Sequence, residues 1–406
     1  MGQAAVVIGA GITGTLVADT LARQGWRVVI LEAEHVGAGS SSRTAAGIRQ
    51  QFSTPETVLG MRYSVDFYRN FPTRVGGVEV PIVQNGYLFL LGTGEEVDSA
   101  RVRLRVQHRC GLVEAELLEG AELSRRFPWV EPCAVLAATW CPTDGFLHPA
   151  TVYNEAALAA QRHGAELLQR AAVVGVERSG SRIDAVLSTR GRHPADLVID
   201  ATNAWSPRLA RILGATELPI VPLKRCLWFA ERAGSLTQAD LLAMPLTIAP
   251  SGAYLRPENG DSMLMGWSRS VPPEPDFSYD DQDVIPPAFF HKSGTDSIAY
   301  ETWAALAEVI PAVGEFAGIT ATTAGYYGTT PDHNPFLGYD PQVPNLIRLA
   351  GFSGHGAMFG PFTALVASEL ARAGHDVDTV HALGHEVPVG AFRIGRDCIL
   401  PESVVI

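Results

Sequence analysis

The chain has 406 residues, 47% of them apolar and 18% charged, with a formal net charge of −12. Its length requires more than one core, and its composition is that of an ordinary globular protein rather than a disordered or fibrous one. The acidic balance argues against nucleic acid or an anionic membrane surface as main partner.

Further exclusions follow from the residues. No continuous apolar run reaches the roughly 18 residues of a membrane span. The N-terminal apolar run lacks a basic flank and is interrupted by glycines, unlike a signal peptide. Cys110, Cys133, Cys141, Cys226 and Cys398 form no Cys-x-x-Cys pair. An odd, scattered set of this kind reads as reduced thiols in a cytoplasmic protein. No histidine pair has metal-ligand spacing beside a carboxylate, so no metal is expected.

In chain order, the apolar stretch Ala4 to Ile8 reads as a buried parallel strand. It enters Gly9-Ala10-Gly11-Ile12-Thr13-Gly14. In such a motif Gly9 allows a tight turn, Gly11 lets backbone approach a pyrophosphate, and Gly14 lets helix and strand pack closely. Leu16, Val17, Thr20 and Leu21 fall at helical spacing, Gly25 ends that helix, and Trp26 to Leu31 form a second strand. Glu32, followed by Ala33, stands where a carboxylate accepts ribose hydroxyls, which favours FAD or NAD over a 2′-phosphorylated cofactor. Gly37 to Gly47 is a loop of small residues, and Thr57 to Phe71 has helical spacing. Asn85-Gly86 between apolar runs predicts a hairpin over 81–92, and Glu95 to Phe127 has a charged helical pattern.

Thr151 to His163 reads as a helix, followed by strands at Ala172–Val176 (with Val174), Ala185–Thr189 and Leu197–Ala201. The last runs into the turn Thr202-Asn203-Ala204-Trp205-Ser206, which would place backbone beside a ligand. From Pro219 to about 320, frequent prolines, alternating aromatics and turn signals at Ser251-Gly252 and Asn259-Gly260-Asp261 predict antiparallel sheet. Leu346 to Ala350 is a strand leading to Gly351-Phe352-Ser353-Gly354-His355-Gly356 and a helix. The two glycine-rich ends together read as one FAD stretched between distant parts of the chain. The expected architecture is a two-domain α/β (α+β) chain. Residues 1–80, 145–215 and 320–406 form a Rossmann-like FAD-binding domain, and 81–144 and 216–319 an antiparallel-sheet substrate domain, both discontinuous.

With Gly47-Ile48-Arg49-Gln50-Gln51-Phe52, Asp144-Gly145-Phe146-Leu147-His148-Pro149 and Thr330-Pro331-Asp332-His333-Asn334-Pro335, these motifs in this order resemble the FAD-dependent D-amino-acid oxidase superfamily. The branch it most resembles is that of sarcosine oxidase, dimethylglycine dehydrogenase and proline dehydrogenase-like enzymes. The resemblance implies that a helix starting after His355, with Gly354, Gly356, Ala357 and Met358, aims N–H groups at the flavin's pyrimidine edge. His355 would act through its ring or only through its backbone. The loop with Ser40, Ser41, Arg43, Thr44, Ala46 and Gly47 would cover the flavin rings, and Val174, Ala201, Thr202, Trp205, Gly325 and Asp332 would complete the cofactor site.

Alignment on the family motifs puts Thr44 and Gly325 where relatives attach FAD through histidine or cysteine, so the FAD is expected to be non-covalent. Arg49 matches an arginine that binds the substrate carboxylate. Tyr254 and Arg256, two apart on a predicted strand, would share a face lining the substrate pocket. Met358 and Tyr327 stand where relatives carry a lysine and an arginine that hold the substrate carboxylate, which argues against a simple amino-acid substrate, and Leu264 stands where covalent oxidases carry an oxygen-promoting lysine, which tilts the expectation from oxidase toward dehydrogenase. The implied reaction is oxidation of a C–N bond of an amino acid or secondary amine by hydride transfer to flavin N5, giving an imine. A 2-hydroxy acid or alcohol oxidoreductase and a non-catalytic flavoprotein are the alternatives. A small-molecule amine and oxygen or another acceptor are the expected partners, and a homo-oligomer is compatible with the sequence.

Overall fold

The structure, a computed structural model, describes residues 2–77, 82–267, 297–396 and 401–402. Cys398 lies outside the described residues; Cys110, Cys133 and Cys141 are free thiols, and Cys226 is buried.

A six-stranded sheet runs in the order Phe336–Tyr339, Leu346–Ala350, Leu197–Asp200, Ala4–Ile8, Arg27–Leu31, Glu166–Leu168. All its pairings are parallel except that of Phe336–Tyr339 with Leu346–Ala350. Its strands are apolar on both faces because both faces are covered. Ala5, Val7, Ile30, Ile199 and Ile347 pack on helices Ile12–Arg23, Pro149–Arg162 and Gly356–Ala373. Val6, Ile8, Val198 and Leu346 pack on Ile183 and Val186 of a small antiparallel sheet and on Leu209 and Leu213 of helix Ser206–Leu213. This is the expected mixed α/β fold with a parallel, dinucleotide-type sheet.

The second large sheet has eight strands, in the order Gly318–Thr329, Val221–Glu231, Ser262–Trp267, Ala253–Asn259, Leu246–Ile248, Tyr87–Leu91, Ala137–Cys141, Glu116–Glu119. Only Leu246–Ile248 with Tyr87–Leu91 is parallel. The period-2 alternation divides its two faces. Leu88, Trp228, Leu255 and Met265 are buried in a core that includes Leu306 and Val309 of helix Ile298–Val309. Tyr87, Leu227, Ile248, Tyr254 and Leu264 point the other way, into a cluster with Phe146 and Ala45.

Two sequence expectations are corrected. Ile82–Val83 and Tyr87–Leu91 do not form a hairpin: the first pairs with Gly145–Leu147 and the second with Ala137–Cys141. Asn85-Gly86 instead turns the chain from one sheet to another, with Gly86 N donating to Asp144 O at 3.1 Å. The stretch 95–127 is not one helix. Helix Gly94–Arg109 ends at Cys110 and Gly111, and strand Glu116–Glu119 and helix Gly120–Arg126 follow. Gly111 has φ +79°, a left-handed stop that the charge pattern hid. No helix among the described residues is long and apolar enough to cross a membrane.

Beneath the parallel sheet lies a fully buried ion cluster. Arg348 donates from Nε to Asp200 at 2.9 Å, from Nη1 to Asp340 at 3.1 Å and from Nη2 to the Ser206 hydroxyl at 2.6 Å. Arg348→Met would leave two buried carboxylates without their counter-charge, a loss of about 3–5 kcal/mol. The expected result is a clear drop in the urea unfolding midpoint, whereas Arg125→Met, at an exposed pair with Glu122, leaves it close to wild type. An unchanged midpoint for Arg348→Met would show that the cluster does not hold the sheet together.

Candidate functional site

A cavity of about 470 Å³ runs across the carboxyl ends of the parallel strands. From the N-terminal segments it is lined by Gly9, Gly11, Ile12, Thr13, Glu32, Ala33, Ser40, Ser41, Arg43 and Thr44. From the rest of the chain come Ala201, Thr202, Trp205, Gly325, Gly354, Gly356 and Ala357. One continuous space therefore gathers both glycine-rich ends.

The local geometry explains the residue types. A Cβ on Gly14 would stand 1.9 Å from the carbonyl oxygen of Gly9, so the helix can approach the turn only with glycine there. Gly354 has φ +91°, and a Cβ on it would overlap the Tyr327 ring at 2.4 Å. The Ser41 hydroxyl accepts from Ile12 N at 3.0 Å and so tethers the small-residue loop to the start of the first helix. Glu32, at the end of strand Arg27–Leu31, accepts from Ala10 N at 2.8 Å and from Glu34 N at 2.9 Å. Its carboxylate thus stands fixed at one end of the cavity. Helix Gly356–Ala373 begins at the other end, where Gly356 and Ala357 carry amides without intrahelical partners. These amides and the helix dipole suit negative charge. A glycine cradle, a fixed acid and a helix N-terminus together fit a dinucleotide with a second, electron-accepting end.

The remaining predicted cofactor residues support the cavity without lining it. Gly14 packs under the turn, and Ala46 and Gly47 lead into the short strand Gly47–Ile48. Met358 is buried in the first helical turn. Val174 is corrected: it is 60% exposed, and its neighbour Val173 lines the cavity, because alternation along the strand turns Val174 outward. Asp332 also stands outside the wall. Burial raises its pKa, but the paired hydrogen bonds from Arg396 outweigh that and hold the carboxyl below its usual range.

His355 precedes the helix, and its ring does not enter the cavity. Its Nε2 lies 3.1 Å from Arg49 Nη2, and Phe52 meets the ring edge-on. A guanidinium can only donate, so Nε2 accepts and the imidazole is neutral. Burial, then Arg49 and His333, push its pKa well below the usual value. The role it can play at the cofactor is therefore carried by its backbone.

Arg49 is completely buried, with Nη1 bonded to Gln51 O at 3.0 Å and its guanidinium 4.0 Å from the Phe52 ring centre. Arg49 is set behind the helix N-terminus rather than in the cavity wall. Tyr254 and Arg256 do share a face and do not point to solvent. Arg256 is engaged by Ala45 O at 2.7 Å and by Glu258, and so acts on the loop. Burial, then Tyr327 and Tyr87, raise the Tyr254 pKa well above its usual value, and its side chain is hydrogen-bonded to Tyr327, which lines the cavity.

Sequence reasoning passed over the lining residues Arg208 and Tyr326, and it placed Asn203 and Phe352 in ligand-facing segments without assigning either a role of its own. Asn203 adopts φ +48°, and its Oδ1 accepts from both Gly351 N and Phe352 N at 3.1 Å. It ties the turn after strand Leu197–Asp200 to the turn after Leu346–Ala350. A non-glycine residue inside an otherwise small-residue turn was the available signal.

Residues 4–370 match the family described as FAD dependent oxidoreductase (DAO). A FAD-dependent oxidoreductase domain-containing protein 1 of Xenopus laevis is 29% identical over 407 residues, 90% of this chain and 78% of that protein. A glycine oxidase of Geobacillus kaustophilus is 25% identical over 374 residues, 90% of this chain and 92% of that protein. The crystal structure of L-proline dehydrogenase from P. horikoshii matches with a TM-score of 0.81 and 29% identity, over 97% of this chain and 96% of that one.

Gly14→Ala is expected to abolish retention of FAD, because the added carbon overlaps Gly9 O. Gly94→Ala, where nothing lies within 4 Å, should keep it. The visible flavin absorbance relative to protein absorbance after purification is the measurement. Wild-type flavin content in Gly14→Ala would show that the close approach is not needed.

Proposed function

This chain belongs to the FAD dependent oxidoreductase (DAO) family, and we propose that within it the protein oxidises a C–N bond of an amino acid or a secondary or N-methyl amine. The observation that carries the proposal is the wall of the cavity. Among the described residues it contains no lysine, cysteine or histidine side chain, and its acids, Glu32 and Glu34, belong to the nucleotide end. The hydroxyls of Ser40, Ser41, Thr44, Tyr326 and Tyr327 in that wall have no lysine, histidine or cysteine beside them there to activate them, which suits a substrate whose own nitrogen drives the reaction. The names of two relatives, glycine oxidase and L-proline dehydrogenase, support an amino-acid substrate.

Bound FAD supplies the hydride acceptor that converts the amine to an imine. The chain supplies placement and electrostatics. Tyr327 and Tyr254 form a hydrogen-bonded pair beside the cavity, with Arg225 5.6 Å from the Tyr327 ring centre. Together they offer hydroxyl and guanidinium groups to a substrate carboxylate. Leu227, Ile248 and Leu264 on the same sheet face keep water away. Arg49, Arg225 and Arg256 are all buried around this end, and their charge disfavours an ammonium and favours the free amine that can be oxidised. Leu264, on the face where related oxidases carry a lysine, supports a dehydrogenase. Thr44 and Gly325 in the wall support non-covalent FAD, since neither can bond to it.

Anaerobic mixing of the holoprotein with amines, N-methyl amino acids, amino acids and hydroxy acids is expected to bleach the flavin with an amine and not with a hydroxy acid. Admitting air should restore the colour slowly, and acid precipitation should leave the flavin in the supernatant. Bleaching by hydroxy acids alone would overturn the proposal. Tyr254→Phe removes one hydrogen bond of about 0.5–1.5 kcal/mol and is expected to lower kcat/KM by roughly twofold to thirteenfold.

A further inference from the structure

One buried acid has no part in the reaction described so far. Asp144, just after strand Ala137–Cys141, is 0% exposed. Its Oδ1 accepts from Gln50 N and from Gln50 Nε2, both at 2.9 Å, and its Oδ2 accepts from Gln51 Nε2 at 3.1 Å. Gln50 Nε2 also donates to Thr143 Oγ1, and Gln51 Nε2 to Tyr87 O. The carboxylate thereby grips backbone and side chains of the two residues that follow Arg49. The Gln51 carbonyl accepts from Arg49 Nη1 at 3.0 Å, and Arg49 Nη2 donates to His355 Nε2 across 3.1 Å. A single run of hydrogen bonds joins an acid beside the eight-stranded sheet to the residue before helix Gly356–Ala373.

We propose that Asp144 is a positioning residue: its carboxylate sets Gln50 and Gln51, and through them aims Arg49 at His355 and keeps that ring neutral at the start of the cofactor helix. This rests on the reading that the helix N-terminus faces the reacting end of FAD. The chemistry of the donors demands a carboxylate. The three groups that meet its oxygens are all N–H donors, and an ionised acid, with no proton of its own to place, accepts most strongly from all of them. An amide would turn its NH2 against the Gln51 donor, and a protonated acid would accept more weakly and bring a buried O–H that needs a partner of its own.

The same network gives the site a pH dependence of defined sign. The titratable and charged groups facing Asp144 are Arg49, Tyr87 and Cys141. Burial pushes Tyr87 and Cys141 up, so both stay neutral, and Arg49 stays charged. Burial also raises Asp144, to about 6, against the bonds from Gln50 and Gln51 and the charge of Arg49. Above that value Asp144 is ionised and the run is intact. Below it the acid takes up a proton, and the bonds from Gln50 and Gln51 lose their charge assistance and weaken. Burial, then Arg49 and His333, push the His355 pKa well below its usual value.

The test compares wild-type holoprotein with Asp144→Asn and Gln51→Leu in two readouts. The first is the rate of flavin reduction by excess amine in a single turnover. The wild-type rate is expected to fall as the pH drops through about 6. Asp144→Asn should be slower at neutral pH by roughly tenfold or more, and should lack the additional fall near pH 6 that the wild type shows beyond the slope set by protonation of the amine itself. The second readout, without substrate, is the ¹⁵N resonance of the His355 ring. In the wild type it should show a neutral ring with Nε2 as acceptor, and both variants should shift it. A wild-type rate, a preserved acid limb and an unmoved His355 resonance in Asp144→Asn would overturn the proposal. If Asp144→Asn does not fold, Gln51→Leu keeps the carboxylate and its bonds to Gln50 but removes the bonds of Gln51 Nε2 to Asp144 and Tyr87, and an unmoved His355 resonance there overturns the hold on Arg49 through Gln51. If no amine reduces the wild type, the C–N reading fails, and the His355 resonance still decides the role of Asp144.

Discussion

The structure depends on an arginine that never reaches solvent. Arg348 sits in the strand that carries the second glycine-rich turn, and it is bonded to Asp200 at the end of the strand that carries the first small-residue turn. This pair locks strands Leu346–Ala350 and Leu197–Asp200 side by side in parallel register. Asp200 also accepts from Thr202 N and Oγ1, at 3.0 Å and 2.6 Å, and so shapes the turn that follows. Asn203, in that turn, holds Gly351 and Phe352. The ion pair thus fixes where two turns meet, and the meeting of those turns forms the floor of the cofactor cavity. A buried ion pair is weak evidence of net stability, but removing one partner is severe, and this asymmetry makes it a device for register.

The second organising constraint is the double-faced sheet of the other half. One face is filled by helix Ile298–Val309 and is ordinary core. The opposite face carries Tyr87, Tyr254, Leu264 and the arginines Arg225 and Arg256 close to the cavity. A chain with net charge −12 thereby surrounds one end of its cofactor site with buried cations. Whole-chain charge concerns solubility and encounter, whereas chemistry at the cavity depends on groups within a few ångströms. Arg49, behind the helix N-terminus, adds its charge to that of the helix dipole without entering the wall.

Many of the residues that line the cavity were legible in the sequence because their motifs are local. Gly9 to Gly14, Glu32 and Gly351 to Gly356 each need only a strand, a turn and a helix start, and those follow from apolar runs and glycine placement. The family resemblance added the order of the motifs. Val174 was misplaced by one residue because alternation gives the two faces of a strand but not which is inward. The hairpin expected at Asn85-Gly86 failed for a related reason: the turn signal was correct, but the two strands found partners in different sheets. Local turn chemistry cannot report on pairing between strands far apart in sequence.

The sequence by itself determined the cofactor class, the parallel sheet that bears it and the family, because a pyrophosphate cradle is encoded within about 30 consecutive residues. Only the tertiary structure decided what the buried polar side chains do. Arg49 read as a substrate ligand and proved to be bonded to His355, 306 positions away. Asp144 read as part of a motif and proved to hold Gln50 and Gln51, 94 and 93 positions away. A carboxylate or guanidinium has strong chemistry but no direction of its own along the chain. Its role is fixed by the partners that long-range packing brings within hydrogen-bond distance, and those contacts are not periodic, local or visible in composition.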